Sequence, residues 1–209
     1  MSKVVCIYPK DETTDFLFPL YEKICSMGVE GWHEDTTANF TFAIEKLKWA
    51  DTIIFLGHGS SRSLYGSPQN DELSDLISSN NVHGLLEGKR CFLLSCNSIE
   101  FCSNYNLNNS IGFGNMPTSK TDVLLALDNE ALFPNLELED IEVYNNALIM
   151  SLINAVSSVS FDKFEILHSM ICLYANVEIT KCLTLKPCRM YREVADLLQN
   201  FKNECRFLK

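Results

Sequence analysis

The sequence predicts an α/β protein whose mostly parallel sheet is flanked by helices, and three observations lead to that class. Short apolar runs suited to buried strands alternate with segments whose apolar residues recur at helical spacing. Each helical segment can carry the chain from the end of one strand to the start of the next, as parallel pairing requires. Apolar residues make up 46% and charged residues 21% of the 209 residues, which suits a chain that buries a core.

The first half of the chain carries the alternation of strands and helices. The apolar runs predict strands at residues 3–8, 29–35, from 51 to Gly57, 91–94 and 111–116. The helical spacing predicts helices at residues 16–25, 40–49, 71–79 and from 98 onward, with loops or a hairpin at 60–66 and 80–89. In the second helix, Phe40, Ile44 and Leu47 are expected to form the buried face.

The second half is expected to be mostly helical. Helices are predicted at residues 121–132, 141–159, 161–177 and 191–207. We find no linker or repeat in the sequence, so we expect one domain over residues 1–209. Its core would span about 1–130, and a helical C-terminal extension of about 131–209 would pack beside the sheet.

Charge and cysteine usage narrow the classes of function. The formal net charge of −10 disfavours nucleic-acid binding, which needs basic residues against phosphates. It favours basic partners or substrates, although solubility alone accounts for it. The chain has nine irregularly spaced cysteines, and its N-terminal apolar run is too short for a signal peptide, so we expect reduced thiols and a cytoplasmic location. The longest apolar stretch, 147–159, is too short and polar to span a membrane.

Two apolar runs lead directly into residues that can do chemistry. The run at 52–57 continues into His58, and the run at 91–94 is followed by Ser95 and Cys96. The carboxyl ends of parallel strands meet at one edge of a sheet, which is where ligands gather in such folds. If the two strands are neighbours, His58 and Cys96 would therefore lie side by side.

This pairing is typical of nucleophilic catalysis. A cysteine attacks a carbonyl as the thiolate, and an adjacent imidazole is the usual means of generating it. The helix predicted after Cys96 would place a partial positive charge near the thiol. Gly59 follows the histidine, and its backbone N–H is a candidate donor to a developing oxyanion.

The sequence around both residues resembles that of the caspase-like cysteine peptidases, and most closely the CHAT peptidases. The resemblance is carried by FLGHGS at residues 55–60 and FLLSCNS at residues 92–98, and it covers about residues 51–116. Ser95 stands where these families often have Ala, and the Gly that often follows the cysteine closely is absent. The resemblance implies a caspase-like sheet.

It also implies a role for each residue of the pair. His58 would be the general base and Cys96 the nucleophile of an endopeptidase that forms an acyl-enzyme without a cofactor. The backbone N–H groups of Gly59 and Cys96 would form the oxyanion hole. The strand at 111–116, which includes Asn115, would line the cleft that holds a protein or peptide substrate.

The resemblance further suggests what such a substrate would be. Many related enzymes cut after Arg or Lys by means of an acidic pocket, for which Asp122 and Asp128 are candidates. Arg62, in the loop after the histidine, is a further candidate for substrate contact. Control would come from a regulatory partner protein, from processing or from a ligand, and bacterial members of this group often act in defence or toxin modules.

Three alternatives remain open from the sequence. One is an inactive or latent caspase-like fold that serves as a protein-interaction module. Another is a zinc site, although the chain has no Cys-x-x-Cys spacing; its ligands would be Cys96 and Cys102, or Cys182 and Cys188, with His58 or His168. The third is a nucleotide-binding fold, for which the chain lacks a full Gly-x-Gly-x-x-Gly motif.

Overall fold

The computed structural model describes residues 3–69, 72–119 and 135–209, so the helix expected at 121–132 lies outside these ranges. The described strands are β1 (Val4–Ile7), β2 (Glu30–Trp32), β3 (Thr52–Leu56), β4 (Leu64–Tyr65), β5 (Asp75–Ile77), β6 (Arg90–Leu94), β7 (Ser110–Gly112) and β8 (Arg206–Leu208). The described α-helices are α1 (Phe18–Ser26), α2 (Thr36–Trp49), α3 (Val82–Leu86), α4 (Ser98–Asn104), α5 (Leu138–Ser158), α6 (Phe164–Leu185) and α7 (Tyr191–Glu204), and a 3₁₀ helix, Glu12–Leu17, precedes α1.

The main sheet confirms the predicted α/β class. Its six strands lie in the order β2-β1-β3-β6-β7-β8, and all neighbours are parallel except β7 and β8. From β1 the chain crosses to β2 on one side, and it then returns to β3 on the other side of β1. The order of strands therefore reverses between β1 and β3, and ligands bind at such a position in open parallel sheets.

Helices cover both faces of this sheet, which explains why its central strands are continuously apolar. Every residue of β3 and all but the first residue of β6 are buried. On one face, α1 and the C-terminal helices share a core with alternate strand residues such as Ile54 and Leu94. On the other face, α2, α3 and α4 pack against the intervening residues, such as Phe55 and Leu93.

Three short elements differ from the prediction, because pairing between distant segments decides them. Residues 71–79 were expected to be helical, but β5 forms there and pairs antiparallel with β4. The loop expected at 80–89 contains α3, whose apolar side chains Val82, Leu85 and Leu86 are buried. The last predicted helix ends at Glu204, and β8 follows it to cover the open edge of β7.

The predicted inner face of α2 is also wrong at one position. Phe40 is 42% exposed, while Ala43 and Leu47 are completely buried. The cause is local, since Asn39 has non-helical dihedral angles that interrupt α2 one residue before Phe40. The turn that carries Phe40 is thereby set apart from the regular helix that packs on the sheet.

The start of α5 is held by Asp140, which is 3% exposed. Its carboxylate accepts hydrogen bonds from the backbone N–H groups of Glu137 and Met190, each at 3.0 Å, and so links the first turns of α5 and α7. Burial raises the pKa of this carboxyl, but the two N–H donors, together with the Cys188 thiol and the charge of Arg189, outweigh burial and hold the pKa below its usual value.

Replacing Asp140 with Ala is expected to lower the free energy of unfolding by about 2 kcal/mol, because two buried N–H groups lose their acceptor. Urea unfolding at pH 7 measures the loss, and Glu139→Ala, an exposed position in the same turn, is the control. Because the folded-state pKa is depressed, the contribution is present above the unfolded-state pKa of about 4 and is lost as pH falls through the folded-state value. A difference that persists undiminished at lower pH would contradict this account.

Candidate active site

The register of β3 and β6 places His58 and Cys96 at the same edge of the sheet. Leu56 and Leu94 are partners in the parallel ladder, and the two candidate residues each lie two positions beyond them. The backbone N–H of Gly57 donates to the carbonyl of Leu94 at 3.1 Å, which continues the ladder past the strand ends. The two strands are thus parallel neighbours, as expected, although the helix between them is α3 rather than one at residues 71–79.

Both side chains line one pocket at this edge. His58 and Cys96 are half-buried, and the other described residues around the pocket are mostly apolar: Thr14, Phe16, Leu17, Gly57, Leu94, Met116, Thr118 and Leu148. The centre of a water molecule can reach about 20 Å³ of this space, so the pocket is narrow. The arrangement brings a thiol and an imidazole to one small, largely apolar cavity.

The residues at the start of the 3₁₀ helix that follows β1 hold the imidazole of His58 through contacts with its Nε2 atom. Its Nε2 lies 2.7 Å from Oγ1 of Thr13 and 3.3 Å from Oδ2 of Asp11. The Thr13 hydroxyl donates in turn to Oδ1 of Asp11 at 2.8 Å, so its single proton is already used. Asp11 is buried and also accepts from the backbone N–H of Thr13 at 2.9 Å.

These contacts assign the tautomer of the histidine. A carboxylate only accepts, and the Thr13 hydroxyl gives its proton to Asp11, so Nε2 of His58 carries a proton and donates. The lone pair of the neutral ring is then on Nδ1, which is the nitrogen available as a base. Asp11 also compensates the positive charge that the ring acquires when it takes a second proton.

The turn that carries Cys96 is pinned to the chain beyond β7. Ser98, which is completely buried, donates to the carbonyl of Leu93 at 2.6 Å and accepts from the backbone N–H of Phe113 at 2.9 Å. The backbone N–H of Asn97 donates to Gly114 at 2.9 Å, and the Cys96 thiol lies 3.5 Å from the carbonyl of Met116. Several hydrogen bonds therefore fix the position of the Cys96 backbone.

The helix predicted after Cys96 is present as α4, and Asn97 is the residue at its N-terminal boundary. Asn97 occupies the N-cap position in the left-handed region, with φ of 55°, and its side chain makes no capping bond. The Ser98 hydroxyl is likewise directed to β6 and β7 rather than to the first turn of α4. Tertiary bonds have replaced the local cap.

The hairpin after His58 determines where the Gly59 N–H points. Gly59 and Leu64 oppose each other in an antiparallel bridge, bracketed by bonds from Ser60 to Ser63 and from Tyr65 to His58. That pattern makes Gly59 and Leu64 a non-hydrogen-bonded pair, in which the N–H points away from the partner strand. The Gly59 N–H therefore makes no hydrogen bond within this hairpin, and a donor to an oxyanion must be free of such a bond. The oxyanion roles of the Gly59 and Cys96 N–H groups stay predictions.

Gly59 also makes room for Ser95. A Cβ on Gly59 would lie 2.6 Å from Oγ and 2.9 Å from Cβ of Ser95, so the two residues can pack together only because Gly59 has no side chain. Ser95 is 1% exposed, and within the described parts of the chain its hydroxyl has no hydrogen-bond partner. The hydroxyl contributes a desolvation cost without a bond.

Replacing Ser95 with Ala is therefore expected to leave stability unchanged or to raise it by up to about 1 kcal/mol. The matched control is Ser98→Ala, which removes the acceptor of the Phe113 N–H and should cost about 1–3 kcal/mol. Urea unfolding of both variants is the measurement. A loss in Ser95→Ala as large as that of the control would show that the Ser95 hydroxyl has a bonding role.

Burial makes most of the other cysteine thiols harder to ionise. Burial raises the pKa of seven of their thiols, which are Cys6, Cys25, Cys91, Cys102, Cys182, Cys188 and Cys205. For Cys91 and Cys188 the pKa rises to about 12. Few of these thiols are ionised at neutral pH.

Cys172 is the eighth, and it forms a second pair of cysteine and histidine. Its sulfur lies 3.7 Å from Nε2 of His168, one turn away on α6. The same Nε2 lies 3.1 Å from the carbonyl of Cys205, and a carbonyl only accepts, so Nε2 carries the proton. This nitrogen therefore cannot take a proton from Cys172.

The remaining predicted substrate residues are placed only in part. Arg62 is exposed, and the loop around it is tied to the C-terminal end of α4, where the Tyr105 hydroxyl donates to its carbonyl at 3.0 Å. Asn115 is exposed, and its backbone N–H donates to Glu204 at 2.9 Å. Asp122 and Asp128 lie outside the described residues.

The zinc and nucleotide alternatives find no support in the described parts of the chain. No group of three or more potential ligands there could hold a metal ion. The glycines at 57 and 59 lead into the β4 hairpin rather than into a helix, unlike a phosphate-binding loop.

The contacts of Asp11 and Thr13 with His58 were not predicted from the sequence. The one signal was that both residues lie a few positions after β1.

A scan against models of known protein families and a search of curated proteins found no match for this chain. Across residues 3–69, 72–119 and 135–209, none of the helices combines the length and apolarity that crossing a membrane requires.

Proposed function

We propose that the protein is a cysteine endopeptidase in which Cys96 is the nucleophile and His58 the general base. One observation carries the proposal: both residues line one pocket, while Asp11 and Thr13 hold the far side of the imidazole in the tautomer that a base requires. A nucleophile, a base and a residue that orients the base are the parts that covalent acyl transfer needs.

In the proposed reaction, Nδ1 of His58 takes the proton from the Cys96 thiol. The thiolate forms a bond to the scissile carbonyl carbon, and negative charge moves to the carbonyl oxygen, facing the N–H groups of Gly59 and Cys96. The intermediate then expels the amine, which receives its proton from the imidazolium. Water, deprotonated by His58, attacks the thioester and releases the carboxylic acid and the thiol.

The biological setting of the proposal rests on the resemblance to CHAT peptidases. The substrate would be a protein or peptide, and a regulatory partner, processing or a ligand would control cleavage. A role in a bacterial defence or toxin module is the corresponding setting. The narrowness of the pocket, about 20 Å³, supports a second candidate, in which the caspase-like fold is latent or inactive and serves as an interaction module.

Alkylation of Cys96 by iodoacetamide, followed by mass spectrometry, tests the proposal. His58→Ala is expected to slow this alkylation by ~10²–10³ near neutral pH, because the thiol then lacks its base. Cys96→Ala should abolish peptide cleavage, and Cys172→Ala, which removes the other cysteine beside a histidine, should leave it unchanged. Alkylation at the same rate with and without His58 would reject the dyad. Alkylation that depends on His58 in a protein that cleaves no peptide would favour the latent module.

A further inference from the structure

The pocket beside Cys96 has an apolar floor. Five apolar side chains from four parts of the chain form it, and four of the five are nearly inaccessible to solvent: Phe16, Leu17, Leu94, Met116 and Leu148. The polar side chains that line it are Thr14, Thr118, His58 and Cys96. Among the described lining residues there is no carboxylate.

Asp11, the described carboxylate that contacts His58, is committed elsewhere. Asp11 directs one oxygen to Thr13 and the other to His58, and it is not among the residues that line the pocket. The ammonium or guanidinium group of a Lys or Arg substrate would therefore lose its hydration without gaining an ionic partner from the described lining. A buried charge without a partner costs several kcal/mol, whereas an apolar side chain gains about 25 cal/mol for each Å² buried.

The size of the pocket further restricts which substrate side chains it can hold. About 20 Å³ is open to the centre of a water molecule, and Leu148 of α5, which is 1% exposed, closes one wall. A large aromatic side chain would have to displace this helix. A small or medium-sized aliphatic side chain needs much less adjustment.

We propose that this pocket receives an uncharged aliphatic side chain, of the size of Val or Leu, from the substrate residue on the acyl side of the scissile bond. The inference rests on the proposed peptidase function and concerns the same site. It differs from the basic residue that the resemblance suggested, for which the described lining offers no carboxylate.

Peptidyl chloromethyl ketones test this preference at Cys96 itself. In the labelling reaction the sulfur forms a bond to the methylene carbon and chloride leaves. Reagents with identical flanking residues and Leu, Phe or Arg at the variable position are compared by the rate of labelling of the full-length protein. The Leu reagent is expected to react at least ~10-fold faster than the Arg reagent.

Two variants sharpen the comparison. Leu148→Ala should raise the rate with the Phe reagent relative to the Leu reagent, because it removes the wall that excludes an aromatic ring. Leu138 is 61% exposed on the same helix, so Leu138→Ala should change neither rate. Asp122→Asn and Asp128→Asn are expected to leave the ratio of Leu to Arg labelling unchanged.

The outcomes separate this inference from the proposed function. Equal or faster labelling by the Arg reagent would overturn the inference, and loss of that preference in Asp122→Asn or Asp128→Asn would assign the pocket to those carboxylates. Failure of all three reagents, while iodoacetamide labels Cys96 in a manner that depends on His58, would also overturn it. If iodoacetamide labelling does not depend on His58, the proposed function itself fails.

Discussion

Replacement of Asp11 by Asn is expected to slow iodoacetamide labelling of Cys96 and peptide cleavage by ~10²–10⁴. The carboxylate can only accept a hydrogen bond, and so it keeps the proton on Nε2 of His58. An amide can instead donate to Nε2, which places the proton on Nδ1 and removes the base. The amide also carries no charge to compensate the imidazolium.

The control for this experiment is Asp15→Asn, a carboxylate of the same 3₁₀ helix that is exposed to solvent. It should react as the unsubstituted protein does. Circular dichroism and urea unfolding test whether Asp11→Asn remains folded. The pH dependence of Cys96 labelling then separates a positioning role of Asp11 from a general loss of structure. An Asp11→Asn protein that is folded and labels at the full rate at every pH would show that Asp11 does not orient the base.

Replacement of Gly112 by Ala is expected to lower the free energy of unfolding by about 1–3 kcal/mol. An added Cβ would lie 2.7 Å from both the Cα and the backbone nitrogen of Ile99, in the first turn of α4. These are backbone atoms, so no side-chain rotation can relieve the contact. The helix must shift away from β7, and the turn that carries Cys96 must shift with it.

Gly84→Ala is the matched control, because Gly84 lies inside α3 and an added Cβ would have no atom of the described residues within 4 Å, apart from its chain neighbours and the backbone of its own helix. Alanine there should be neutral or stabilising by up to about 1 kcal/mol. Urea unfolding compares the two variants. Equal stability of the two variants would show that α4 can move freely on β7. The labelling rate of Cys96 in Gly112→Ala then reports whether that movement changes the position of the Cys96 thiol.

Local sequence was sufficient to predict the strands that carry the candidate site. Residues 52–56 and 90–94 form β3 and β6 almost as expected, because a continuous apolar run between polar segments suits a strand covered on both faces. The helical segments between the apolar runs also indicated parallel pairing. Both signals are local in sequence, so they can be read without knowledge of the fold.

Elements that depend on distant partners were not predictable in the same way. The strands β5 and β8 have three residues each, too few for a clear period, and each forms through pairing with another strand. The exposure of Phe40 follows from the interruption of α2 at Asn39, which spacing alone does not reveal. Such features depend on packing energies that a short window of sequence does not contain.

The sequence by itself determined the class of fold and the two candidate residues, His58 and Cys96, that follow its central strands. The tertiary structure alone decided what surrounds them: the acceptors that assign the histidine tautomer, the space that Gly59 leaves for Ser95, and the apolar floor of the pocket. The reason is the strand order. Thr13 and His58 are 45 positions apart, and they meet only because β1 lies directly beside β3.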